Sequence, residues 1–508
     1  MSSNIYSYII DQECKHKSSK IYVQDGCVYS CTLNQTDVKS NKNKFYIMQI
    51  LDKGNGSYCH FTRYGRIGES GKTIYKELSD LSNAIASYEK QFKTKTGNKW
   101  ENREDFVFKK GKYFLTEISY EGDIKKDDLE KLDKQIEIKN SILDERTQEL
   151  MKLISDVNMM KNALLELDID PKKMPLGKIS ASQIDKASTL LNEATDIVKE
   201  LEKLKDSNKT QYSILLEQVY DITSQFYTLI PYSCGRNVPP VIDNMERIGK
   251  YVSMLDDLRN IEVGTKILEN SDNDLNPLDS VYNGLNADIK PLDKDGQLYK
   301  EIEKYVHNTH ASTHSYYTSE LLDVYEVQRS GERDIYEKYI ADNGIDNKYL
   351  LFHGSRMANI MGITKLGLLL NPQQVNPNVV ITGKMFGYGI YLANSFSKSF
   401  NYCGSSKENP IACLFLCEAA LGKPAKKQYA DYYVNKNSLE QEGCHSTWGQ
   451  GSNGPDMKKT CEIDGVKIPN GKLKKTGIHA SLQYDEFIVY DQRQLNIKYI
   501  LLVKANYK

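Results

Sequence analysis

Between residues 125 and 148 the chain carries a run of charged side chains and no aromatic residue. Such a stretch has too little apolar surface to enter a core, so it reads as a solvated, helix-prone linker between an N-terminal and a C-terminal body. The chain must therefore fold as more than one body. Its length of 508 residues agrees, because a single hydrophobic core stops growing well before that size and a prior of two to four domains applies.

The two sides of this linker, placed at 123–140, differ in periodicity. Residues 1–19 are polar and, with Lys15 and Lys17 leading to Lys20, read as a disordered basic tail. From Ile21 to Leu51, short runs rich in Tyr, Val and Ile are broken by Gly and Asn, as in Phe45 to Ile50, and these read as strands. Leu81, Ala84, Ile85, Tyr88 and Phe92 then recur at helical spacing, predicting one amphipathic helix across that sheet. Residues 20–122 are thus expected to form a small α+β domain. Beyond the linker, Leu150, Leu153, Ile154, Val157 and Leu164 share one helical face. Ile184, Ala187, Leu190, Leu191, Ala194, Val198 and Leu201 share another, with Ser180 and Gln183 spaced as a capping box. Further helical patterns over Leu215 to Phe226 and Ile248 to Ile267 complete an all-α bundle, 141–268. From 275 to 508 strands and helices mix, closing with strand-like runs at Glu486 to Tyr490 and Tyr499 to Val503; this predicts a mixed, mainly antiparallel α/β domain. The fold class is multidomain α+β.

Charge and cysteine content narrow the function classes. Lys plus Arg number 67 against 68 Asp plus Glu, which excludes a nonspecific cationic coat for nucleic acid. The balance is uneven: residues 1–121 hold 19 basic and 14 acidic side chains, the remainder 48 and 54. Ten cysteines without a CxxC pair fit neither a disulfide framework nor a zinc ribbon, and the CxxxC pairs Cys27/Cys31 and Cys413/Cys417 lack a partner pair at a familiar distance, so no metal is expected. No apolar run reaches the ~20 residues of a membrane span and no signal peptide opens the chain, which predicts a soluble, intracellular protein.

The chemistry concentrates in the last region. An apolar strand, Leu350 to Phe352, ends in His353-Gly354-Ser355-Arg356. A glycine there lets a planar carboxamide approach the backbone closely. Next come TGKMFGYGIY, ending at Tyr391, and SKSFNYC, which holds Ser399 and Tyr402. Two tyrosines with glycines between them suit a clamp for a flat heteroaromatic ring, although in a chain with 35 tyrosines the pair alone carries little. The GxG in this segment is no dinucleotide fingerprint, since the third glycine and the acidic residue are missing. Last, Glu486 opens an apolar strand in YDEFIVYD, where a carboxylate in a concave site could bond a ribose hydroxyl and stabilise positive charge on a glycosidic carbon.

Taken in order, HGSR, TGxMFGxGIY, SKSxNYC and YxEFIVYD resemble the His-Tyr-Glu signature of the poly(ADP-ribose) polymerase catalytic domain. The resemblance extends upstream. DPKKMPLGKIS at 170–180 and FYTLIP at 226–231 look like that family's helical regulatory domain, and YGRIG at 64–68 with KTGNKW at 95–100 like its WGR domain. The implied function is NAD⁺-dependent ADP-ribosylation of proteins, with elongation to a polymer, activated by DNA strand breaks in the DNA damage response. The alternatives are mono-ADP-ribosyl transfer and a catalytically silent DNA-break adaptor. The intact His353, Tyr391 and Glu486 speak against silence.

The resemblance implies a catalytic set of His353, Tyr391 and Glu486, and an NAD⁺ site of His353, Gly354, Ser355, Asn359, Tyr391, Ser399, Tyr402 and Glu486, with NAD⁺ as substrate and no metal. It places an acceptor site at Met385 and Tyr484, DNA contacts at Arg63, Tyr64 and Arg66, and a regulatory acid at Asp256. Implied partners are damaged DNA with 5′-phosphorylated ends and acceptor proteins including the enzyme itself; no membrane is implied, and residence is nuclear. Four departures stand out: Leu369 replaces an arginine usual near the adenosine pocket, the 371–381 loop is longer, Asn260 replaces a second regulatory acid, and Tyr64 replaces the tryptophan for which the WGR domain is named.

Overall fold

A computed structural model describes residues 10–116, 140–167, 179–205, 207–272, 274–370 and 385–508. Residues 123–139 of the 123–140 linker, most of the 170–180 segment and the 371–381 loop lie outside the described residues. The architecture is multidomain α+β: a β-rich N-terminal region, a helical region and a β-rich C-terminal region. The chain gathers into two compact units, Met1–Ile136 with Lys161–Leu258, and Glu137–Met160 with Arg259–Lys508.

In the first unit β1 (Ser30–Asp37), β2 (Lys42–Asp52), β3 (Tyr58–Arg66), β4 (Lys72–Leu78) and β5 (Phe114–Thr116) form an antiparallel sheet in the order β4-β3-β2-β1-β5. Helix α1 (Leu81–Thr96) starts where the Asp80 side chain accepts the Asn83 N–H and stops at Gly97, whose φ of 75° suits glycine. Its Ala84, Tyr88 and Phe92 pack on the sheet, and Trp100 closes the same core with its ring 4.9 Å from Tyr88 and 5.0 Å from Phe92. The expected capping box is present: Ser180 and Gln183 open α2 (Ala181–Leu204), which lies beside α3 (Lys209–Leu229). Helix α3 in turn packs on β1, where the Thr36 N–H donates to Thr228 Oγ1 at 3.0 Å.

Three expectations fail for physical reasons. Residues 10–19 are not a disordered tail. Asp11 and Cys14 are buried, and the Asp11 carboxylate meets the Arg63 guanidinium at 2.8 Å in a fully interior ion pair that fixes the segment. At the other edge of the linker, residues 141–148 are only partly solvated. Ser141 bonds Asp279, and Arg146 pairs with the buried Asp323 (Nε to Oδ2 2.8 Å), so one charge that makes the stretch look like linker is spent on a partner far along the chain. The helical face expected from Leu150 to Leu164 is likewise split into Glu145–Ile154 and Val157–Glu166, because Asp156 accepts the Asn158 N–H at 2.7 Å and starts a new helix.

The second unit is built on a seven-stranded sheet. Its labelled strands are β6 (Ala287–Pro291), β7 (Tyr317–Arg329), β8 (Lys348–Gly354), β10 (Ile411–Ala420) and β14 (Leu495–Tyr507), and two short strands lie beyond β8, giving the order Cys461–Ile463, Val466–Ile468, β8-β10-β14-β7-β6. β10 is central and buried along almost its whole length, as its near-continuous apolar text IACLFLCEAA requires. Cys413 and Cys417 are core residues of this strand. Helix α4 (Gln297–Asn308) covers one face, its Tyr305 hydroxyl donating to the Leu350 carbonyl at 3.2 Å. A smaller sheet, β9 (Ile390–Leu392), β13 (Glu486–Val489), β12 (Ser446–Gly449) and β11 (Pro424–Lys427) in that order, stands beside it.

Candidate active site

The two sheets of the second unit meet through one antiparallel bridge, Phe352 to Ala393, with both N–H···O bonds at 2.9 Å. This bridge lays the end of β8 along β9, and β9 pairs with β13 so that Tyr391 faces Ile488 in register. His353, Tyr391 and Glu486 thus come from three neighbouring strands. The His353 ring nitrogen Nδ1 lies 2.9 Å from the Tyr391 carbonyl, which only accepts, so Nδ1 carries the proton and the ring is oriented by backbone. The Tyr391 hydroxyl accepts the Phe386 N–H at 2.9 Å and donates to the Gly387 carbonyl at 2.8 Å. Burial holds that phenol far above its ordinary pKa, so it stays neutral and the ring serves as a fixed wall.

Gly354 cannot be replaced without moving backbone. A Cβ at this position would stand 1.7 Å from the Ser399 carbonyl oxygen, so the strand end and the short helix α5 (Phe396–Phe400) touch main chain to main chain. Helix α5 is itself pinned: Ser399 Oγ donates to the Phe352 carbonyl at 3.2 Å, and Ser397 Oγ receives the Ala311 N–H at 2.8 Å. Just past Gly354, the buried Asn359 donates its amide to Ser355 Oγ at 2.9 Å. Tyr402 is exposed at 64%, presenting a ring that nothing in the unit covers fully. Met385 is half-buried against the cluster of Phe386 and Ile488. Tyr484, expected at the acceptor side, is buried and spends its hydroxyl on Thr313 Oγ1 at 2.7 Å.

Lys398, to which the sequence pattern assigns no role, dominates the electrostatics. Its Nζ sits 2.9 Å from Glu486 Oε1 and donates to the Tyr484 carbonyl at 2.8 Å. Burial pulls the Lys398 pKa down, and the attraction of Glu486 only partly opposes this. Next to it Asp485 is buried, held by the Asn394 amide at 2.8 Å and the Gly451 N–H at 2.7 Å, with burial raising its pKa. A lone lysine inside SKSF gives no signal in one dimension; only the fold brings it to a carboxylate 88 positions later, as Glu486 follows Lys398 in the chain.

The residues expected at DNA lie in the first unit. Arg63 is buried, with its guanidinium on Asp11, on the Ser70 carbonyl at 2.7 Å and over the Phe45 ring, so the expected phosphate contact is corrected: this charge is structural. Arg66 donates to the carbonyls of Gly235, Asn41 and Asn237 and to the Asn41 side chain. Tyr64 is half-buried and stacks on Tyr46, the rings 5.6 Å apart and 16° from parallel. Asp256 is half-buried on the helix Met245–Glu269, and Asn260 lies one turn on, its backbone against Gly362 of the second unit, to which Asn260 also belongs.

Comparison with known proteins gives the domains of this chain a family. Three family models match in succession: the WGR domain at residues 29–107, the poly(ADP-ribose) polymerase regulatory domain at 141–282 and the poly(ADP-ribose) polymerase catalytic domain at 297–505. Poly(ADP-ribose) polymerase 2 of Homo sapiens is 34% identical over 98% of this chain and 83% of its own length. The chain belongs to the poly(ADP-ribose) polymerase family. Poly(ADP-ribose) polymerase 2 of Zea mays is 35% identical over 95% of the chain and 71% of its own length. Poly(ADP-ribose) polymerase 1 of Gallus gallus is 36% identical over 97% of the chain but 46% of its own length, so the chain spans about half of that longer relative. Among the described residues, no helix of this polymerase-family chain is long and apolar enough to cross a membrane.

Proposed function

We propose that this chain transfers ADP-ribose from NAD⁺ to protein side chains and extends the product to a polymer, and that DNA strand breaks stimulate it in the nucleus. The observation that carries this reading is the convergence of His353, Tyr391 and Glu486 on three adjacent strands beside Gly354. The Gly354 backbone and Ser399 would hold the nicotinamide carboxamide, with Tyr391 as the fixed wall and the exposed Tyr402 ring closing over it. His353 and Asn359 would bond the adenosine side, and Glu486 the nicotinamide ribose. As the C1′–N bond breaks, the electron pair leaves with nicotinamide and positive charge grows on the ribosyl carbon. A carboxylate held in place by Lys398 stabilises that charge without reorganising, a contribution of several kcal/mol in a largely dry site. Met385 and Tyr484 are proposed to shape the acceptor side, Tyr484 through backbone placement, since its hydroxyl is engaged.

Activation is proposed to act through the helices, with Asp256 restraining access of NAD⁺ and DNA contact at Tyr64 shifting a pre-existing equilibrium. A deletion that tests this should keep residues 141–154, because removing Arg146 would strand the buried Asp323.

The test is incorporation of labelled ADP-ribose from NAD⁺, with and without nicked or 5′-phosphorylated duplexes, beside Glu486→Gln. Ladders that need DNA and vanish in the variant are the expected result. A single added unit would make this a mono-transferase. No incorporation with DNA binding intact would leave a break adaptor.

A further inference from the structure

On the sheet of the first unit, three potential metal ligands from three separate segments converge. Cys59 on β3 and Glu77 on β4 are direct cross-strand partners, so their side chains leave the same face of the sheet. His16, in the segment ahead of the sheet, folds back over them, its Nε2 3.1 Å from Glu77 Oε1. The donor atoms of His16, Cys59 and Glu77 all lie within 4.8 Å of one another. Tetrahedral zinc, with bonds of about 2.0–2.3 Å, sets its ligand atoms roughly 3.4–3.8 Å apart, so closure asks for about one ångström of side-chain movement.

We propose that His16, Cys59 and Glu77 bind a thiophilic divalent cation, Zn²⁺ foremost, and that the bound ion fastens residues 10–20 to the edge of the sheet. The donor set decides the chemistry: one thiolate, one imidazole and one carboxylate suit zinc and exclude calcium or magnesium, which require oxygen cages. Cys59 is fully buried while Glu77 is half exposed, so the ion would sit with sulfur on the core side and water as its fourth ligand on the open side. The Lys53 ammonium pairs with Glu77. Binding therefore releases the Cys59 thiol proton to solvent and turns Lys53 outward, exchanging one proton and one ammonium contact for a dication. β4 is the edge strand of its sheet, and cross-linking it through His16 to the preceding segment would reinforce the contacts that already hold that segment, Asp11 on Arg63 and the Lys15 N–H on the Tyr75 hydroxyl. Sequence spacing gives no hint of this group, since the ligands sit in no short motif.

The experiment uses the full chain, freed of metal with a chelator and titrated with Co²⁺ alone, whose thiolate charge-transfer band reports sulfur ligation. One equivalent should produce the band. His16→Gln and Glu77→Gln, both at solvent-accessible positions, should weaken binding at least tenfold, and Cys59→Ala, checked for fold by circular dichroism, should abolish the band. Lys53→Met removes the competing ammonium and should tighten binding on the order of tenfold. Absence of the band in both the parent chain and Lys53→Met, or a band that survives in Cys59→Ala, overturns the proposal. An unchanged affinity in His16→Gln does so as well.

Discussion

Lys398 and Glu486 form a nearly solvent-free ion pair, nitrogen to oxygen 2.9 Å, each side chain 14% exposed. The pair ties the short helix after β9 to the first residue of β13, and Lys398 also grips the Tyr484 carbonyl. Replacing Lys398 by Met keeps the length of the side chain and removes the charge. Turnover of NAD⁺ is expected to fall on the order of a hundredfold, with KM changed little, because the carboxylate loses its position in the transition state rather than a contact to bound substrate. Steady-state kinetics on the folded variant provide the check, and a kcat within threefold of the parent would refute the positioning role.

Gly354→Ala places a methyl group 1.7 Å from the Ser399 carbonyl. Either β8 or α5 must retreat, and overpacking of this kind costs roughly 1–3 kcal/mol. Chemical denaturation should show that loss together with failure to bind a benzamide-type nicotinamide mimic. A variant that binds the mimic normally would mean the backbone contact is dispensable.

His60 supplies part of the pH dependence of the first unit. It is buried, its pKa lowered to about 4 by burial and by Lys76, and Nδ1 meets Ser87 Oγ at 3.0 Å. Because the folded pKa lies below the unfolded value, the unfolded chain binds more protons between about pH 6.5 and pH 4. Stability is full above that window and is lost as pH falls through it, by an amount on the order of 3 kcal/mol. Thermal unfolding measured from pH 7 to 4, beside a neutral His60→Gln, should show a steeper slope in the parent than in the variant.

Tyr64→Ala removes the stack on Tyr46 and the ring proposed to meet DNA. Affinity for a nicked duplex is expected to fall by about 1–3 kcal/mol, the range for one aromatic stack on a base or sugar. Fluorescence anisotropy measures this directly, and equal affinities would move the DNA contact elsewhere.

Much of this architecture is legible in one dimension, and the exceptions share a cause. Periodicity locates α1 and α2, the Ser180 cap and the closing strands, because these depend on neighbours within a few residues. The short motifs around His353, Tyr391 and Glu486 locate the candidate site. Charges whose partners are remote in sequence escape: Lys398 on Glu486, Arg146 on Asp323 and Arg63 on Asp11. A charged side chain reads as solvated until the fold supplies a countercharge. A linker edge, a tail and a phosphate contact are each suggested by residues that the interior has in fact claimed.

The Arg63–Asp11 pair also bears on how the first unit should be cut for study. The WGR match begins at residue 29, which invites a fragment starting there. Such a fragment would keep a guanidinium that is 2% exposed and discard its carboxylate partner, a defect of about 3–5 kcal/mol. The electrostatically self-sufficient piece begins no later than Asp11, so sequence homology and charge balance draw the edge of this domain at different residues.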